Sequence, residues 1–199
     1  MPYRLRRKKA VQSSLRKIAV EQIDRAIGEI DDNALDEHAT VHQVRKRCKK
    51  LRGLIRLVRP GFADYPAENA FLRDAARRLS PLRDAQSIVD AFEQLVAGSE
   101  GRIGAAEAAP VRHALLHRRT QISDDSGETD RRLAACRALL LELRGRAAHW
   151  KIDDDGFAAI GGGLRKTYRR GRKALRHAYD ARDSEAFHQW RKRAKYHWY

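Results

Sequence analysis

The chain has 199 residues, and its 42 Lys and Arg against 26 Asp and Glu produce a formal net charge of +16. A charge of this size predicts a polyanionic partner, a class that includes nucleic acid, polyphosphate and anionic membrane surfaces. The hydrophobic share of 42% predicts a packed core, and no apolar run approaches the roughly 20 residues that cross a bilayer, so we expect a folded cytoplasmic protein.

Helical periodicity runs through most of the sequence, whereas the period-two alternation typical of strands is almost absent. The predicted helices cover residues 11–30, a segment ending at Pro60, 71–95, 111–122, 133–143, 164–179 and 187–199. Pro81 interrupts the third segment and indicates either a kink or the first turn of a new helix. Residues 98–104 form a predicted linker, and 151–156 form another break. The predicted fold class is all-α.

One basic pattern occurs twice, in residues 42–50 and 188–196. Both segments read His-Gln-x-Arg-Lys-Arg-x-Lys, so the shared residues recur at one constant offset, as expected of duplicated structural units. Leu-Arg-Lys at 15–17 precedes the first copy, and the same tripeptide at 164–166 precedes the second. Each repeat therefore contains a helix that is followed by a basic helix. Two such repeats predict helical bundles that are related by a pseudo-two-fold axis.

The basic residues of the first copy fall within an arc of about 120° on a helix. This stripe consists of His42, Arg45, Lys46, Lys49, Arg52 and Arg56. The second copy contains the equivalent residues His188, Arg191, Lys192 and Lys195. A basic face is often simply solvated, but solubility requires neither a fixed residue order nor charges of one sign. The duplication therefore favours two matching basic walls that face one cleft.

The opposite side of the first motif helix is apolar, as a helix in a bundle requires. This side consists of Val41, Val44, Cys48, Leu51, Ile55 and Val58. In the second copy Phe187, Trp190 and Ala194 lie away from the charges, so we expect Trp190 to belong to a core. The only cysteines are Cys48 and Cys136, which we expect to be buried, unreactive thiols rather than a disulfide.

At these residues the chain resembles the CHAD family of histidine-containing α-helical domains, whose hallmark is a repeated His-x-x-Arg-Lys-x-x-Lys pattern. Both copies match that pattern in full. Residues 79–84 are similar to the family's Leu-Gly-x-x-Arg-Asp segment, and residues 168–173 are similar to its Tyr-x-x-Gly-Arg stretch. The resemblance spans nearly the whole chain and indicates one domain, with repeat units over about 11–148 and about 156–199.

The resemblance implies helical bundles around a basic channel that binds inorganic polyphosphate, often in proteins associated with polyphosphate granules. Such a polymer needs many cations along a groove, with Arg supplying forked donors and Lys compact charge. Arg83, Arg169 and Arg172 would extend the surface formed by the two stripes. The residues expected to bind polyphosphate are therefore His42, Arg45, Lys46, Lys49, Arg52, Arg56, Arg83, Arg169, Arg172, His188, Arg191, Lys192 and Lys195.

The role of the two motif histidines stays open at this stage. His42 and His188 could donate hydrogen bonds to phosphate, in which case binding would strengthen in mild acid. Alternatively, each histidine fixes helix packing near a helix N-terminus. Metal binding is disfavoured because the neighbouring cations repel a divalent ion and the motif offers no carboxylate.

Other potential sites carry weaker signals. His113 and His117 have the spacing of a zinc-binding helix but lack the Glu of a metalloprotease motif. The acids at 153–155 are more typical of a helix N-cap than of a metal site. The glycines at 161–163 do not make a nucleotide-binding loop, and no activated nucleophile is visible. The sequence predicts no enzyme, metal site or cofactor.

Nucleic-acid or general polyanion binding is the main alternative, because clustered Lys and Arg also fit a phosphate-backbone footprint. Possible stacking residues for single strands are Trp190, Tyr196, Trp198 and Tyr199. A phosphate-chain enzyme or its regulatory subunit is a third alternative. Nothing equivalent to residues 71–143 follows the second copy, so we expect an incomplete second unit. Two explanations stay open, an incomplete gene product and a fold that an oligomer or a partner completes.

Overall fold

The computed structural model describes residues 3–5, 9–123 and 127–198, except for the side chains of residues 82, 83, 122 and 123. These residues contain eight α-helices and no strand, which confirms the all-α fold. Each of the described helices is too short or too polar to span a lipid bilayer. The helices are α1 (Val11–Asp31), α2 (Glu37–Leu57), α3 (Tyr65–Arg78), α4 (Ser80–Ala97), α5 (Ala105–Ser123), α6 (Glu128–Ala147), α7 (Gly156–Ala181) and α8 (Ser184–Trp198).

The main core lies between α1, α2, α3 and α6. Helices α1 and α3 each pack against both α2 and α6. The predicted apolar side of α2 lies inside this bundle, where Val41, Val44, Cys48, Leu51, Ile55 and Val58 are at most 1% exposed. Burying an aliphatic side chain of this size contributes about 1.5–3 kcal/mol, so these residues hold α2 firmly in place.

The two cysteines lie in this core as predicted. Cys48 is on α2 and Cys136 is on α6, and both are buried free thiols. Burial disfavours the thiolate and raises the pKa of Cys48 to about 12 and that of Cys136 to about 11. A thiol in such an apolar environment is unreactive near neutral pH.

The sequence around Pro81 begins a new helix rather than kinking an existing one. Helix α3 ends at Arg78, and α4 begins at Ser80 with proline in its first turn, where the missing backbone N–H costs no hydrogen bond. Helices α4 and α5 pack against each other as a hairpin beside α2 and α3. The predicted linker at 98–104 is the connection between these two helices.

Helix α7 begins at Gly156, several residues earlier than predicted, and includes the glycine run at 161–163. Glycine is a poor helix former, which is why the sequence placed the start of the helix after this run. The structure supplies the reason for the glycines. A Cβ atom on Gly163 would overlap the backbone carbonyl of Leu57, so only glycine lets α7 cross the end of α2 at this distance. Arg59 Nη2 then donates to the Gly163 carbonyl oxygen at 2.9 Å.

The segment between α6 and α7 fastens the start of α7 to the bundle. The backbone N–H of Asp153 donates to the Gly61 carbonyl at 2.9 Å, and that of Ile152 donates to Gln12 Oε1 at 3.0 Å. The Asp155 carboxylate accepts a hydrogen bond from the backbone N–H of Val11 at 2.6 Å, which lowers the pKa of Asp155. Asp155, the N-cap residue of α7, thus joins the starts of α1 and α7.

Helix α8 returns antiparallel along α7, and α7 is the principal helix against which it packs. The expectation that Trp190 lies in a core is therefore only partly met. Trp190 is half-buried, Phe187 is 38% exposed and Ala194 is exposed. The rings of Phe187 and Trp190 each contact the ring of Tyr179 on α7. A helix packed mainly on one neighbour leaves part of its apolar side in water.

Candidate functional site

A cavity of about 260 Å³ lies between the two basic helices, and we call it the basic cavity. Its lining residues are Lys49, Arg52 and Arg56 from α2, and His188, Arg191, Lys192, Lys195 and Tyr196 from α8. Apart from Tyr196, every one of these residues was predicted from the duplicated motif. The described lining therefore combines cations, an imidazole and a phenol from both copies of the repeat.

The scaffold for this cavity consists of α2 and α7. Helix α2 is immobilised in the main core, while α7 crosses its C-terminal end at Gly163 and packs against α8. The stripe on α2 and the stripe on α8 thus face each other only because α7 can approach α2 so closely. Side chains on packed helices are positioned more accurately than side chains on loops, which favours a preformed binding site.

Arg56 is the most buried cation of the cavity. It is only 8% exposed, and its guanidinium carbon lies 4.2 Å from the centroid of the Tyr196 ring. Burial lowers the pKa of Arg56, and the positive charge of Arg52 lowers it further. Arginine nevertheless stays protonated at physiological pH. A desolvated cation of this kind is stabilised by a cation–π contact and, more strongly, by an anion that enters the cavity.

Arg52 forms the wall between the cavity and α3. Its Nε donates a hydrogen bond to Asn69 Oδ1 at 3.0 Å, and the side chain is half-buried. This bond restricts the guanidinium to one orientation before any ligand binds. Preorganisation of this kind reduces the loss of conformational entropy on ligand binding.

The N-terminal half of the α2 stripe does not reach the basic cavity. Arg45 Nη1 donates to the carbonyl oxygen of Ala76 at 3.0 Å and to the hydroxyl of Ser80. These two acceptors lie at the junction of α3 and α4, so Arg45 secures that junction. The next basic residue, Lys46, is exposed on α2 and is not among the residues that line the cavity.

The two motif histidines occupy different surroundings. His188 lines the basic cavity, whereas His42 lines a separate depression with Asp36, Asp90 and Arg119. The presence of carboxylates beside His42 makes that depression less attractive to an anion. The structure therefore places His188 at the candidate site and His42 outside it, and whether either histidine binds a ligand stays a prediction.

The three residues expected to extend the surface lie elsewhere. Arg169 and Arg172 are exposed on α7 and line a different depression, and neither lines the basic cavity. Arg83 belongs to α4, but its side chain lies outside the described residues. Among the residues with described side chains, the predicted set thus divides into a cavity group, a group on α7, and three residues of α2 that lie outside the cavity, namely His42, Arg45 and Lys46.

The potential metal sites remain isolated pairs. His113 and His117 stack with ring centroids 6.4 Å apart on the exposed side of α5. Within the part of the chain that the structure describes, no three His, Cys, Asp or Glu side chains cluster in a way that could hold a metal ion. The cationic lining of the basic cavity instead matches an anionic ligand.

The sequence analysis assigned no role at the basic cavity to Tyr196, which it named only as a possible stacking residue for single strands, or to Gly163. Tyr196 occupies a motif position that holds Lys50 in the first copy, so its stacking on Arg56 follows from tertiary structure alone. Gly163 was part of a glycine run without an assigned role, although glycines inside an otherwise amphipathic helical pattern are a signal of close helix contact.

Comparison with known proteins identifies the family. The family model described as CHAD domain matches residues 17–199, nearly the entire chain. No curated protein and no solved structure shows significant similarity to the chain. The match begins in α1 and includes both copies of the motif and all the residues that line the basic cavity.

Proposed function

The chain belongs to the CHAD family, and we propose that it binds inorganic polyphosphate in the basic cavity. The observation that carries this proposal is the meeting of both motif copies in one cavity, with Lys49, Arg52 and Arg56 opposite Arg191 and Lys195. The resemblance to the family implies this ligand, and the chemistry of the lining supports it.

Polyphosphate matches the cavity in charge and in hydrogen bonding. Each phosphate offers anionic oxygens that can accept forked hydrogen bonds from Arg and point-charge contacts from Lys. The half-buried Arg52 and the buried Arg56 are already held by Asn69 and Tyr196. An entering phosphate would replace water around cations that are partly desolvated already, so each contact gains more than it would on an open surface.

We propose binding without turnover, in the cytoplasm and at polyphosphate granules. Hydrolysis of a phosphoanhydride commonly uses carboxylates that hold metal ions and position water. The described cavity lining instead consists of Lys, Arg, His and Tyr side chains, which suit retention of the polymer. Release of orthophosphate above a heat-inactivated control would contradict this part of the proposal.

Nucleic-acid binding is the second candidate, and exposed aromatic residues favour it. Trp198 is 88% exposed and Tyr179 is 61% exposed, and such rings can stack on unpaired bases. Neither residue is among those that line the basic cavity, however. Nucleic acid and polyphosphate can therefore be distinguished by whether they depend on the cavity and whether they compete for it.

The direct test is calorimetric titration with long-chain polyphosphate near physiological salt. The cavity variant is Lys49→Gln/Arg191→Gln/Lys195→Gln, and a charge-matched remote variant is Lys17→Gln/Arg118→Gln/Lys151→Gln. The residues of the remote variant are exposed on α1, on α5 and before α7. Because hydrogen bonds to charged groups contribute about 1.5–3 kcal/mol each, we expect the cavity variant to lose at least about 30-fold in affinity.

The remote variant should stay within about threefold of the wild type, because it changes only the long-range potential, which salt screens. Circular dichroism establishes that both variants remain helical. Equal losses in the two variants, or full displacement of polyphosphate by equimolar single-stranded RNA, would replace the proposal with generic polyanion or nucleic-acid binding.

A further inference from the structure

The outer side of α7 is a second concentration of positive charge. Its exposed cations are Arg165, Lys166, Arg169, Arg170, Arg172, Lys173 and Arg176. Four of them line a shallow depression of about 550 Å³ together with His177 and Asp180. We call these four residues, Arg169, Arg172, Lys173 and Arg176, the α7 face.

The α7 face is separate from the basic cavity. The buried side of α7 includes Gly163, Thr167 and Ala178, which lie on the opposite side of the helix. The residues that line the basic cavity come from α2 and α8, and the α7 face contributes none of them. The basic cavity and the α7 face are therefore both basic but are lined by different residues.

The cations of the α7 face are arranged unfavourably for an isolated helix. Arg169 and Lys173, like Arg172 and Arg176, are four residues apart, a spacing at which like charges destabilise a helix. In the main bundle, by contrast, Arg137 pairs with Asp31 on another helix at 2.8 Å. Within the part of the chain that the structure describes, the four cations of the α7 face form no ion pair. A polyanion that lies along α7 would relieve this repulsion.

Cationic and aromatic side chains connect the two basic surfaces. At the cavity, the Arg193 guanidinium carbon lies 5.8 Å from the centroid of the Tyr196 ring. The ring of the next residue, His197, lies 6.1 Å from that of Tyr168 on α7. The guanidinium carbon of Arg172 lies 5.9 Å from the Tyr168 ring. These contacts form a series of cationic and aromatic side chains that a flexible anionic polymer can follow from the basic cavity to the α7 face, whose depression is also lined by Asp180.

We propose that the α7 face is a second attachment point for the polyphosphate held in the basic cavity, so that the protein selects long polymers over short ones. The inference rests on the proposed function. Once one segment of a long polymer occupies the cavity, the second contact forms at a high effective concentration and raises the overall affinity. An oligomer of a few phosphates is too short to contact both surfaces and gains nothing from the second.

The test compares two ligands and four proteins, namely the wild type, an α7 variant, a remote control and a charge-conserving variant. The α7 variant is Arg169→Gln/Lys173→Gln/Arg176→Gln, and the control is the remote variant Lys17→Gln/Arg118→Gln/Lys151→Gln, which removes the same charge. Glutamine is nearly as good a helix former as arginine or lysine, so the exposed face should stay helical. Affinities for long-chain polyphosphate and for tripolyphosphate are measured by calorimetry, and the salt dependence is measured for each.

We expect the α7 variant to lose at least about tenfold in affinity for long-chain polyphosphate and to stay within about twofold for tripolyphosphate. The slope of log affinity against log salt should fall by about 2 for the long polymer, because fewer counterions are released. The remote variant should change neither affinity more than about threefold.

An α7 variant that loses affinity equally for both ligands, or no more than the remote variant does, would overturn the inference and leave cavity binding intact. A wild-type protein that binds neither ligand would overturn the proposed function itself. The charge-conserving variant Arg169→Lys/Arg176→Lys should retain most of the preference for the long polymer. Loss of the preference in this variant would show a dependence on side-chain shape and would also contradict the inference.

Discussion

The two copies of the basic motif have nearly the same sequence but lie in different surroundings. Helix α2 packs against α1, α3, α4 and α7, whereas α8 packs chiefly on α7. Arg45 of the first copy is hydrogen-bonded at the junction of α3 and α4, while its counterpart Arg191 lines the basic cavity. The same residue type at the same motif position thus serves structure in one copy and lines the candidate site in the other.

The next shared arginine shows the same division. Arg47 pairs with Glu29 of α1 at an N–O distance of 2.5 Å, and both side chains are largely buried. Its counterpart, Arg193, instead lies over the ring of Tyr196 beside the cavity. A duplicated sequence therefore indicates duplicated helices, but the neighbours of each helix decide which cations remain available to a ligand.

The largest expected effect comes from separating the two copies. Gly163→Ala places a methyl group against the Leu57 carbonyl, so α7 has to move away from α2 and carry α8 with it. Overpacking typically costs about 1–3 kcal/mol, and polyphosphate affinity should fall along with thermal stability. Thermal unfolding followed by circular dichroism, together with calorimetry, measures both losses.

Gly171→Ala is the matched control in the same helix, because no atom lies within 4 Å of the added Cβ position. Alanine should stabilise the helix by about 0.5–1 kcal/mol and leave binding unchanged. If Gly163→Ala behaved like Gly171→Ala, the close approach of α7 to α2 would not be what positions the basic cavity.

Replacing each of the two equivalent arginines by alanine should distinguish an effect on the free energy of unfolding from an effect on polyphosphate binding. Arg45→Ala removes the bonds to Ala76 and Ser80 and should lower the free energy of unfolding by about 1–3 kcal/mol, with polyphosphate affinity within twofold. Arg191→Ala should leave the midpoint of thermal unfolding almost unchanged and reduce the salt slope of binding by about 1. Similar effects of the two substitutions on both quantities would contradict the different roles assigned to the two copies.

A smaller effect is expected from serine at the equivalent positions 48 and 194. Cys48 is completely buried in the main core, whereas Ala194 is exposed on α8. Cys48→Ser places a hydroxyl in an apolar environment and should cost about 1–3 kcal/mol, while Ala194→Ser should stay within about 0.5 kcal/mol. Chemical denaturation measures both, and equal costs would mean that α8 is as enclosed as α2.

The effect expected to be smallest at neutral pH is a loss of stability at alkaline pH, to which Cys48 of the enclosed copy contributes together with buried Cys136. The raised pKa of Cys48, about 12, means that the folded state keeps the thiol protonated while the unfolded chain ionises near pH 8.5. The stabilising contribution is therefore complete below about pH 8.5 and is lost as the pH rises toward 12. Cys48→Ala should weaken this alkaline dependence, and an unchanged pH profile of unfolding would contradict it.

Local sequence was enough to predict the helices, because amphipathic periodicity and proline or glycine positions act over a few residues. The apolar side of α2 follows from such a local pattern. Pro81 allowed either a kink or a new helix, and the structure shows that a new helix begins there. The start of α7 did not, because the glycines at 161–163 oppose helix formation locally and are favoured only by the contact with α2. Trp190 was expected in a core but is only half-buried, because α8 packs chiefly on α7. This arrangement, too, is a property of the tertiary structure.

The sequence by itself determined that the protein is all-α, strongly basic and built with two copies of one cationic helix. The tertiary structure decided that Lys49, Arg52 and Arg56 face the second copy while Arg45 and His42 do not. It also decided that Tyr196 stacks on Arg56 and that Arg169 and Arg172 belong to another surface. Periodicity specifies which face of a helix is polar, whereas the packing of neighbouring helices specifies what that face meets.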